Sequence, residues 1–589
     1  MSFNGELAGA FEDIARLMEL AGEDRFKINA HAKAARVVAD YPEDLKAIAG
    51  DPAALTKIEG IGAKIAAKIA EFAASRQISE REELLKKVPA GLLDVMRVPG
   101  LGPKTAKSLW EVLGVTGLAD LKRVIADGSI LSVPRMGAKS VEGFRKGIET
   151  IERGDERMSI GLAMPIAEML VKRLSAVPGV ERVQFAGSLR RGRETIGDID
   201  LLAIAPGEAA ERLRQAFVTM PEVDRVLAQG ETKCSVVLRI DRKFVQSDLR
   251  IVPAASWGAA LMYFTGSKEH NVRLRERALK RGVTLNEYGL FTVDDDETPH
   301  QHRPGGLERS LAGKSEEEVF AALEVAYMPP EFRESLGDWP AETPRLIEMG
   351  DIRSELHAHT TASDGRMTIV QLAEHAKARG FHTVAVTDHS KSSALAGGLS
   401  EERLRGHIKA VREAASQVSG ISILAGSEVD ILVDGTLDYP DELLAELDVV
   451  VASPHASLSQ EPGKATERLL RAITHPLVHI LGHPTGRLIG HRHGLEPDMG
   501  ELCSAAAEHG VAMEINANWQ RLDLRDSHVR LALSRGCVIA INCDVHRPED
   551  SDNLRFGVLT GRRGGLTPDR CVNAWDKAKL GEWLRRKRR

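Results

Sequence analysis

Three blocks of different pattern predict a multidomain protein of mixed α and α/β class, with helical N-terminal domains, a central α/β domain and a C-terminal distorted (β/α) barrel. Residues 1–150 read as helices joined by short loops, with few β-branched runs. In the middle, Gly187-Ser188-Leu189-Arg190-Arg191-Gly192 leads into the strand-like Gly197-Asp198-Ile199-Asp200-Leu201-Leu202. From Asp351 onward, apolar strand candidates alternate with helices and end at His, Asp or Glu. A chain of 589 residues should hold several such cores, since a single core rarely grows past about 250–300 residues.

Composition narrows the function classes. Charged residues at 28% and hydrophobic ones at 43% are ordinary globular values. Aromatics at 4% argue against base-stacking platforms as the main grip on nucleic acid. A net charge of −6 supplies no bulk basic field, so any DNA contact must come from local geometry. The cysteines, Cys234, Cys503, Cys537, Cys543 and Cys571, are odd in number and lack C-x-x-C spacing, which fits reduced thiols. The N-terminus shows no export signal, and no run is apolar enough for a membrane span, so a soluble cytoplasmic protein without a membrane partner is expected.

In the helical block two loops recur, Ile58-Glu59-Gly60-Ile61-Gly62-Ala63-Lys64 and Val98-Pro99-Gly100-Leu101-Gly102-Pro103-Lys104. Glycines two apart permit a tight turn whose N–H groups, at the start of the next helix, can hold a backbone phosphate. One copy reads equally well as a plain helix-helix turn. Two with matching flanks read as helix-hairpin-helix motifs that grip DNA through phosphates, without sequence preference. A third copy, Val133 to Lys139, has lost its first glycine and reads as structural. Lys64 and Lys68 share a helix face one turn apart, with Lys27 and Lys33 on the preceding helix. Any one of these lysines suits a solvated or phosphate-contacting face. The sharper reading makes Lys68 a Schiff-base nucleophile on an abasic sugar.

In the central block, Asp198 and Asp200 point the same way from one strand. Two hard oxygen ligands form part of a Mg²⁺ or Mn²⁺ site completed by substrate phosphates, and the Gly-Ser turn ahead of them offers N–H groups and a hydroxyl to a phosphate. Asp248, inside the apolar run Phe244 to Val252, is costly there unless paired or metal-bound, and is the natural third ligand of a two-metal site. Downstream, Tyr263-Phe264-Thr265-Gly266-Ser267 ends a helix, Asn271, Arg273 and Arg275 follow, and Asn286-Glu287-Tyr288-Gly289 closes a segment of helix and loop. Taken alone, Tyr263 and Phe264 read as core.

These motifs, in this order over about residues 5–334, resemble the family X DNA polymerases with a polymerase-beta-like core. The resemblance implies a nucleotidyltransferase palm with a thumb-like subdomain, and Asp198, Asp200 and Asp248 as catalytic metal ligands. It implies Ser188 and Arg191 on the triphosphate, and Tyr263, Phe264 and Gly266 lining the sugar pocket. Asn271 would meet the base's minor-groove edge, Arg275 the template side, and Lys68 would be the lyase nucleophile. Phe26 and His31 stand where polymerase beta has His and Tyr.

In the third block, six strand candidates end at or near a chemistry-bearing group. Ser354 to His359 carries His357 and His359 with Asp364 beyond. Thr383 to Thr387 reaches Asp388-His389, and Ile421 to Gly426 reaches Glu428. Val449 to Ser453 reaches His455, Val478 to Gly482 reaches His483, and Val538 to Cys543 ends at Asp544-Val545-His546. Strand ends of a (β/α) barrel converge on one face. Imidazoles and carboxylates without thiolate suit Zn²⁺, Mn²⁺ or Fe, and a cluster of such ions suits phosphoester hydrolysis. His-x-His, Ser-Asp-Gly, Thr-Asp-His, Gly-x-Glu, Ser-x-His, Gly-His-Pro and Asp-x-His, over about residues 351–575, resemble the PHP (polymerase and histidinol phosphatase) family. The resemblance implies nine ligands: His357, His359, Asp364, His389, Glu428, His455, His483, Asp544 and His546. Glu355 stands where Asp often precedes the His-x-His, which should alter the surroundings of the ligands without removing one.

The expected division is 1–85 (lyase-like, first hairpin), 86–155 (second hairpin), 156–252 (palm), 253–334 (thumb-like), 335–350 (linker), 351–575 (barrel) and 576–589 (basic tail). The expected function is a repair polymerase that fills short gaps in DNA with dNTPs, using Mg²⁺ or Mn²⁺. Its barrel would trim 3′ ends with a Zn²⁺, Mn²⁺ or Fe cluster of three ions. Gapped or nicked DNA is the expected partner. Two rivals remain open: a degenerate polymerase carrying a histidinol-phosphate-type phosphatase, and a non-catalytic DNA-binding scaffold.

Overall fold

The structure is a computed structural model that describes residues 3–41, 45–58, 60–98, 101–134, 136–137, 140–141, 143–145, 148, 157–240, 243–293, 306–334, 339, 341–343 and 345–586. Two compact units are present: Met1–Arg157 with Glu222–Leu227 and Val237–Val245, and the remainder from Met158 to Arg589.

The N-terminal stretch of the first unit is helical, as its pattern predicts. Helix α1 (Phe3–Ala21) buries Leu7, Phe11, Ile14, Leu17 and Met18, and α2 (Arg25–Asp40) packs against it. Asp24 caps α2 by accepting from the backbone N–H groups of Phe26 and Lys27. Helices α3 (Ala63–Ser75) and α4 (Pro103–Leu113) open at Gly62 and Gly102, which adopt the same extended backbone, φ −83°, ψ 168° and φ −78°, ψ 170°. Neither start carries a side-chain cap, which leaves the orphan N–H groups of a helix N-terminus without a side-chain acceptor. Gly60 takes φ +95°, a conformation that favours glycine. Gly100, and Arg135, Ala138 and Lys139 of the third copy, lie outside the described residues.

The palm carboxylates are carried by β2 (Asp198–Ile204) and by β3 (Lys243–Ile251), which enters the second unit at Gln246, with β1 (Arg182–Phe185) beside β2. β1 runs antiparallel to β2 and β3 runs parallel to it. The expected Gly-Ser turn is the single-turn helix α5 (Gly187–Arg190) between β1 and β2. Helix α6 (Trp257–Thr265) lays Trp257, Ala260 and Leu261 on Leu202, Ile204 and Val252, and α7 (Lys268–Lys280) follows. The thumb-like segment is not helix and loop alone. Strands Val283–Asn286 and Gly289–Thr292 form a hairpin, turned where Asn286 Oδ1 accepts from Tyr288 N at 2.8 Å and Gly289 N at 3.2 Å.

The C-terminal domain is a parallel sheet of seven strands in chain order. These are β4 (Ser354–Glu355), β5 (Thr383–Val386), β6 (Ser422–Asp430), β7 (Val449–Ser453), β8 (Ile480–Leu481), β9 (Ala512–Asn516) and β10 (Ile539–Asn542). A parallel bridge between Ala358 and Val545 joins its two edges, so the barrel is nearly closed. β9 is one strand more than the six read from the sequence. Its Glu514 and Asn516 break the apolar run, yet both are fully buried.

The expected tail and linker both carry packed residues. Helix α8 (Leu554–Gly564) packs on the barrel, and α9 (Lys577–Arg586) occupies most of the expected tail. Leu580 and Leu584 of α9 join the barrel's inner cluster of Leu356, Val449, Ile480 and Ala540, so burial of two leucines overrides the basic composition around them. In the expected linker, Leu346 and Ile347 are buried, and Ile347 N donates to Leu566 O at 2.8 Å.

Candidate active sites

Register brings the palm carboxylates together, because Asp200 on β2 pairs directly with Asp248 on β3. Asp198 is exposed, Asp200 half-buried and Asp248 buried. Burial first, then repulsion from Asp198 and Asp248, pushes the Asp200 carboxyl up to about 7. Asp248 lies below the ordinary range. Burial works against this but is outweighed by hydrogen bonds from Lys233, Ser235 and Gln246. Lys233 Nζ sits 2.7 Å from Asp248 Oδ2, a contact that sequence spacing did not reveal. Among the described residues, the tight groups of three or more metal-type ligand atoms all fall in the barrel, so the palm aspartates are more loosely gathered. An all-carboxylate set in which burial and mutual repulsion fall on Asp200 fits a hard divalent cation.

The phosphate turn lies against the same carboxylates. Gly187 has φ +61°, and a Cβ there would collide with Asp200 Oδ2. Arg190 forms a two-pronged pair with Glu316, at 2.8 and 2.7 Å, and Arg333 meets the same carboxylate at 2.7 Å. Arg191 does not project freely into the turn. Its Nε donates to Glu334 Oε1 at 2.6 Å, and another guanidinium nitrogen donates to Thr265 O. A Cβ at Gly266 would lie 3.3 Å from that Arg191 nitrogen, which places the expected sugar pocket beside the turn. Tyr263 and Phe264 meet edge to face at 5.2 Å, with Arg250 over the Phe264 ring. Asn271 Nδ2 donates to Tyr263 O at 2.7 Å, and Arg275 is exposed one turn further along α7. Glu316, Arg333 and Glu334 were missed from the sequence because their partners lie far away in the chain.

The barrel gathers its ligands as the strand ends suggest. His359, Asp364, His389 and His546 form one group, His357, His359 and Asp544 a second, and His389, Glu428 and His455 a third. His483 joins through Glu428, 2.9 Å from its Nε2. Imidazoles crowd to centroid separations of 4.2 Å for His359 and His546 and 4.3 Å for His359 and His389. Burial and these two neighbours hold His359 down at about 4. His546 rises to about 9, because Asp364 and Asp544 outweigh burial. His357 Nε2, both nitrogens of His359, His389 Nδ1, His483 Nδ1, Glu428 Oε2 and Asp544 Oδ1 are buried without a hydrogen bond, and some face one another closely, as His389 Nδ1 does Glu428 Oε2 at 2.9 Å. Convergent bare imidazole and carboxylate atoms suit bound cations, and the mixed N/O donor set suits transition metals.

A surrounding layer orients these ligands. Glu514 on β9 meets His357 Nδ1 at 2.8 Å and accepts from His483 N at 2.7 Å. Asp430 meets His455 Nδ1 at 2.9 Å, and Asn516 donates to Asp544 Oδ2 at 3.0 Å. Glu355 accepts from the backbone of His357 and Cys543, and burial pushes its carboxyl up to about 7. Asp388 is no part of the three groups. It binds Thr360, Ser363 and His407 and so anchors the loop that leads to Asp364. Glu514 was missed because its strand lacks the apolar signature.

In the first unit, Lys68 Nζ lies 3.0 Å from Glu80 Oε2, and His31 Nε2 lies 3.1 Å from the same oxygen. His31 Nδ1 meets Lys27 O at 2.8 Å. Phe26 stands 84% exposed, and Lys64 and Lys104 are exposed beside the two helix starts.

Family models match four parts of the chain: a helix-hairpin-helix domain at residues 2–78, a SAM-like helix-hairpin-helix tandem at 92–149, the DNA polymerase beta thumb at 260–334 and the PHP domain at 355–518. The DNA polymerase/3′-5′ exonuclease PolX of Bacillus subtilis is 36% identical over 577 residues, 98% of each chain. A probable phosphatase of a Thermoanaerobacter species is 29% identical over 247 residues, 40% of this chain and 95% of that one. DNA polymerase lambda of Rattus norvegicus is 25% identical over 355 residues, 57% of each. With an α/β palm, a polymerase thumb, paired hairpins and a histidine-rich barrel in one chain, this protein belongs to the PolX family, the family X DNA polymerases that carry a PHP domain.

Proposed function

We propose that the chain is a DNA repair polymerase that fills short gaps by template-directed dNTP addition and trims 3′ ends with its barrel. The single observation that carries the reading is the coexistence, in one chain, of a β2–β3 carboxylate pair under a phosphate turn and a barrel rim of nine convergent ligands. The Bacillus subtilis relative is named for both activities, which supports assigning both here.

In the palm, Asp198, Asp200 and Asp248 would hold Mg²⁺ or Mn²⁺, with Ser188 and Arg191 on the triphosphate. Tyr263, Phe264 and Gly266 line the sugar, Asn271 meets the base and Arg275 the template. In the barrel, His357, His359, Asp364, His389, Glu428, His455, His483, Asp544 and His546 would hold three ions of Zn²⁺, Mn²⁺ or Fe. Such cations supply Lewis-acid activation of the phosphoryl group and of water near neutral pH. Glu514 and Asp430 fix the ring orientation of His357 and His455 and keep their far nitrogens turned inward. Both halves work by positioning and charge neutralisation. Gly60, Gly62, Lys64, Gly100, Gly102 and Lys104 would hold the phosphates of gapped or nicked DNA, and Lys68 an abasic sugar. The domain division we favour follows the expected one, with the barrel domain carried through α9, and the five buried free cysteines support a cytoplasmic location.

A time course on a labelled gapped duplex, with and without dNTPs, tests the reading. Asp198→Ala/Asp200→Ala should abolish extension, and His357→Ala/His359→Ala should abolish 3′ degradation while leaving extension intact. Gap filling retained by the palm variant, free of contaminating polymerase, refutes the polymerase assignment. The likeness to a probable phosphatase favours a small-molecule phosphatase as second reading. Turnover of histidinol phosphate without any 3′ degradation would establish it.

A further inference from the structure

The phosphate turn of the palm is braced by the barrel. Gly192, which closes the turn, has φ +65°, and a Cβ there would lie 3.2 Å from Leu559 Cβ and 3.6 Å from Arg563 Cδ, both on α8. Arg563 is only 5% exposed. One guanidinium nitrogen donates to Arg191 O at 2.9 Å, and another bonds Glu334 Oε2 at 3.1 Å and Asp526 Oδ2 at 2.5 Å. Glu334 also receives Arg193 and the Arg191 side chain. A residue of the barrel thus holds the backbone of Arg191 and shares the carboxylate that holds its side chain.

We propose that Arg563 is a positioning residue for dNTP binding, through which the barrel sets the geometry of the polymerase's phosphate turn. The inference rests on the reading of Ser188 and Arg191 as triphosphate contacts. Two consequences of losing Arg563 act in the same direction. The Arg191 carbonyl loses its anchor, so the turn no longer presents its donors at fixed positions. Glu334 loses one of three cationic partners and draws Arg191 more strongly, against the triphosphate. The hydrolytic ligands touch none of these atoms, so 3′ degradation should be spared.

The test uses the full chain with Arg563→Met, which keeps side-chain length but removes the donors, and Arg563→Lys, which keeps the charge. In single-nucleotide gap filling, Arg563→Met should raise KM for dNTP about 10-fold or more, with kcat and 3′→5′ degradation of single-stranded DNA changed less than about 3-fold. Arg563→Lys should recover about half of the lost logarithm of KM. A wild-type KM in Arg563→Met overturns the proposal. So does a parallel fall of both activities, which marks a merely structural arginine. If Arg563→Met does not fold, Leu559→Ala decides: KM should rise about 3-fold, and an unchanged KM overturns the proposal. Wild-type protein that incorporates no dNTP would refute the polymerase reading itself, a result separate from any KM comparison among active proteins.

Discussion

Replacing Glu316 with Gln perturbs the best-buried ion cluster of the palm and thumb. The Glu316 carboxylate lies between Arg190 and Arg333, the latter only 1% exposed. Burial alone would raise its pKa, but the two guanidinium groups win and lower it from 4.5 to about 2. At roughly 1.4 kcal/mol per pH unit, that depression corresponds to about 3 kcal/mol of stability at neutral pH. Because the folded-state value is depressed, this stability is present above pH 4.5 and is lost as pH falls through about 2. Glu316→Gln leaves the buried Arg333 and the half-buried Arg190 without their anion, a kind of loss that costs about 3–5 kcal/mol. Fluorescence-monitored thermal unfolding should show a shift of roughly 5 °C or more at pH 7. The gap to wild type should narrow between pH 4.5 and about 2. A gap equivalent to less than about 1 kcal/mol at pH 7, or one that stays constant down to about pH 2, would refute the reasoning.

Other perturbations have separable readouts. Gly187→Ala places a Cβ against Asp200 Oδ2 at a positive φ; gap filling should fall at least about 100-fold, read by primer extension, with 3′ degradation unchanged. Glu514→Gln removes the charge that orients His357, and competition with a chelator should show metal affinity in the barrel lowered about 10- to 100-fold while primer extension persists. Lys64→Ala/Lys104→Ala should weaken binding to all duplex sequences alike and reduce the slope of log affinity against log salt by about 2, measured by fluorescence anisotropy. An unchanged slope would remove the hairpins from the phosphate contacts.

Much of both sites was legible from local spacing. Asp198 and Asp200 share one face of a strand, and His357 with His359 sit two apart just past a barrel strand, because a period of two needs no tertiary information. The first hairpin's glycines suit the turn that Gly60 makes at φ +95° and the helix start at Gly62. Glu316, Glu334 and Glu514 were not legible. Each acts on a residue more than 100 positions away, and in sequence each looks like an ordinary surface glutamate. Strand β9 escaped for a related reason, since its buried Glu514 and Asn516 are tolerated only where Asn542, the His483 backbone and Asp544 satisfy them.

The sequence by itself determined the family and pointed to the two chemistries, because the motifs that carry them are residue types at short spacings. The tertiary structure alone decided that Lys233 sits on Asp248, that Arg191 is held by Glu334, and that the barrel helix α8 closes against Gly192. Those contacts join residues that only sheet register and packing bring together. Buried charges must find partners wherever packing brings them, and no local pattern records the outcome.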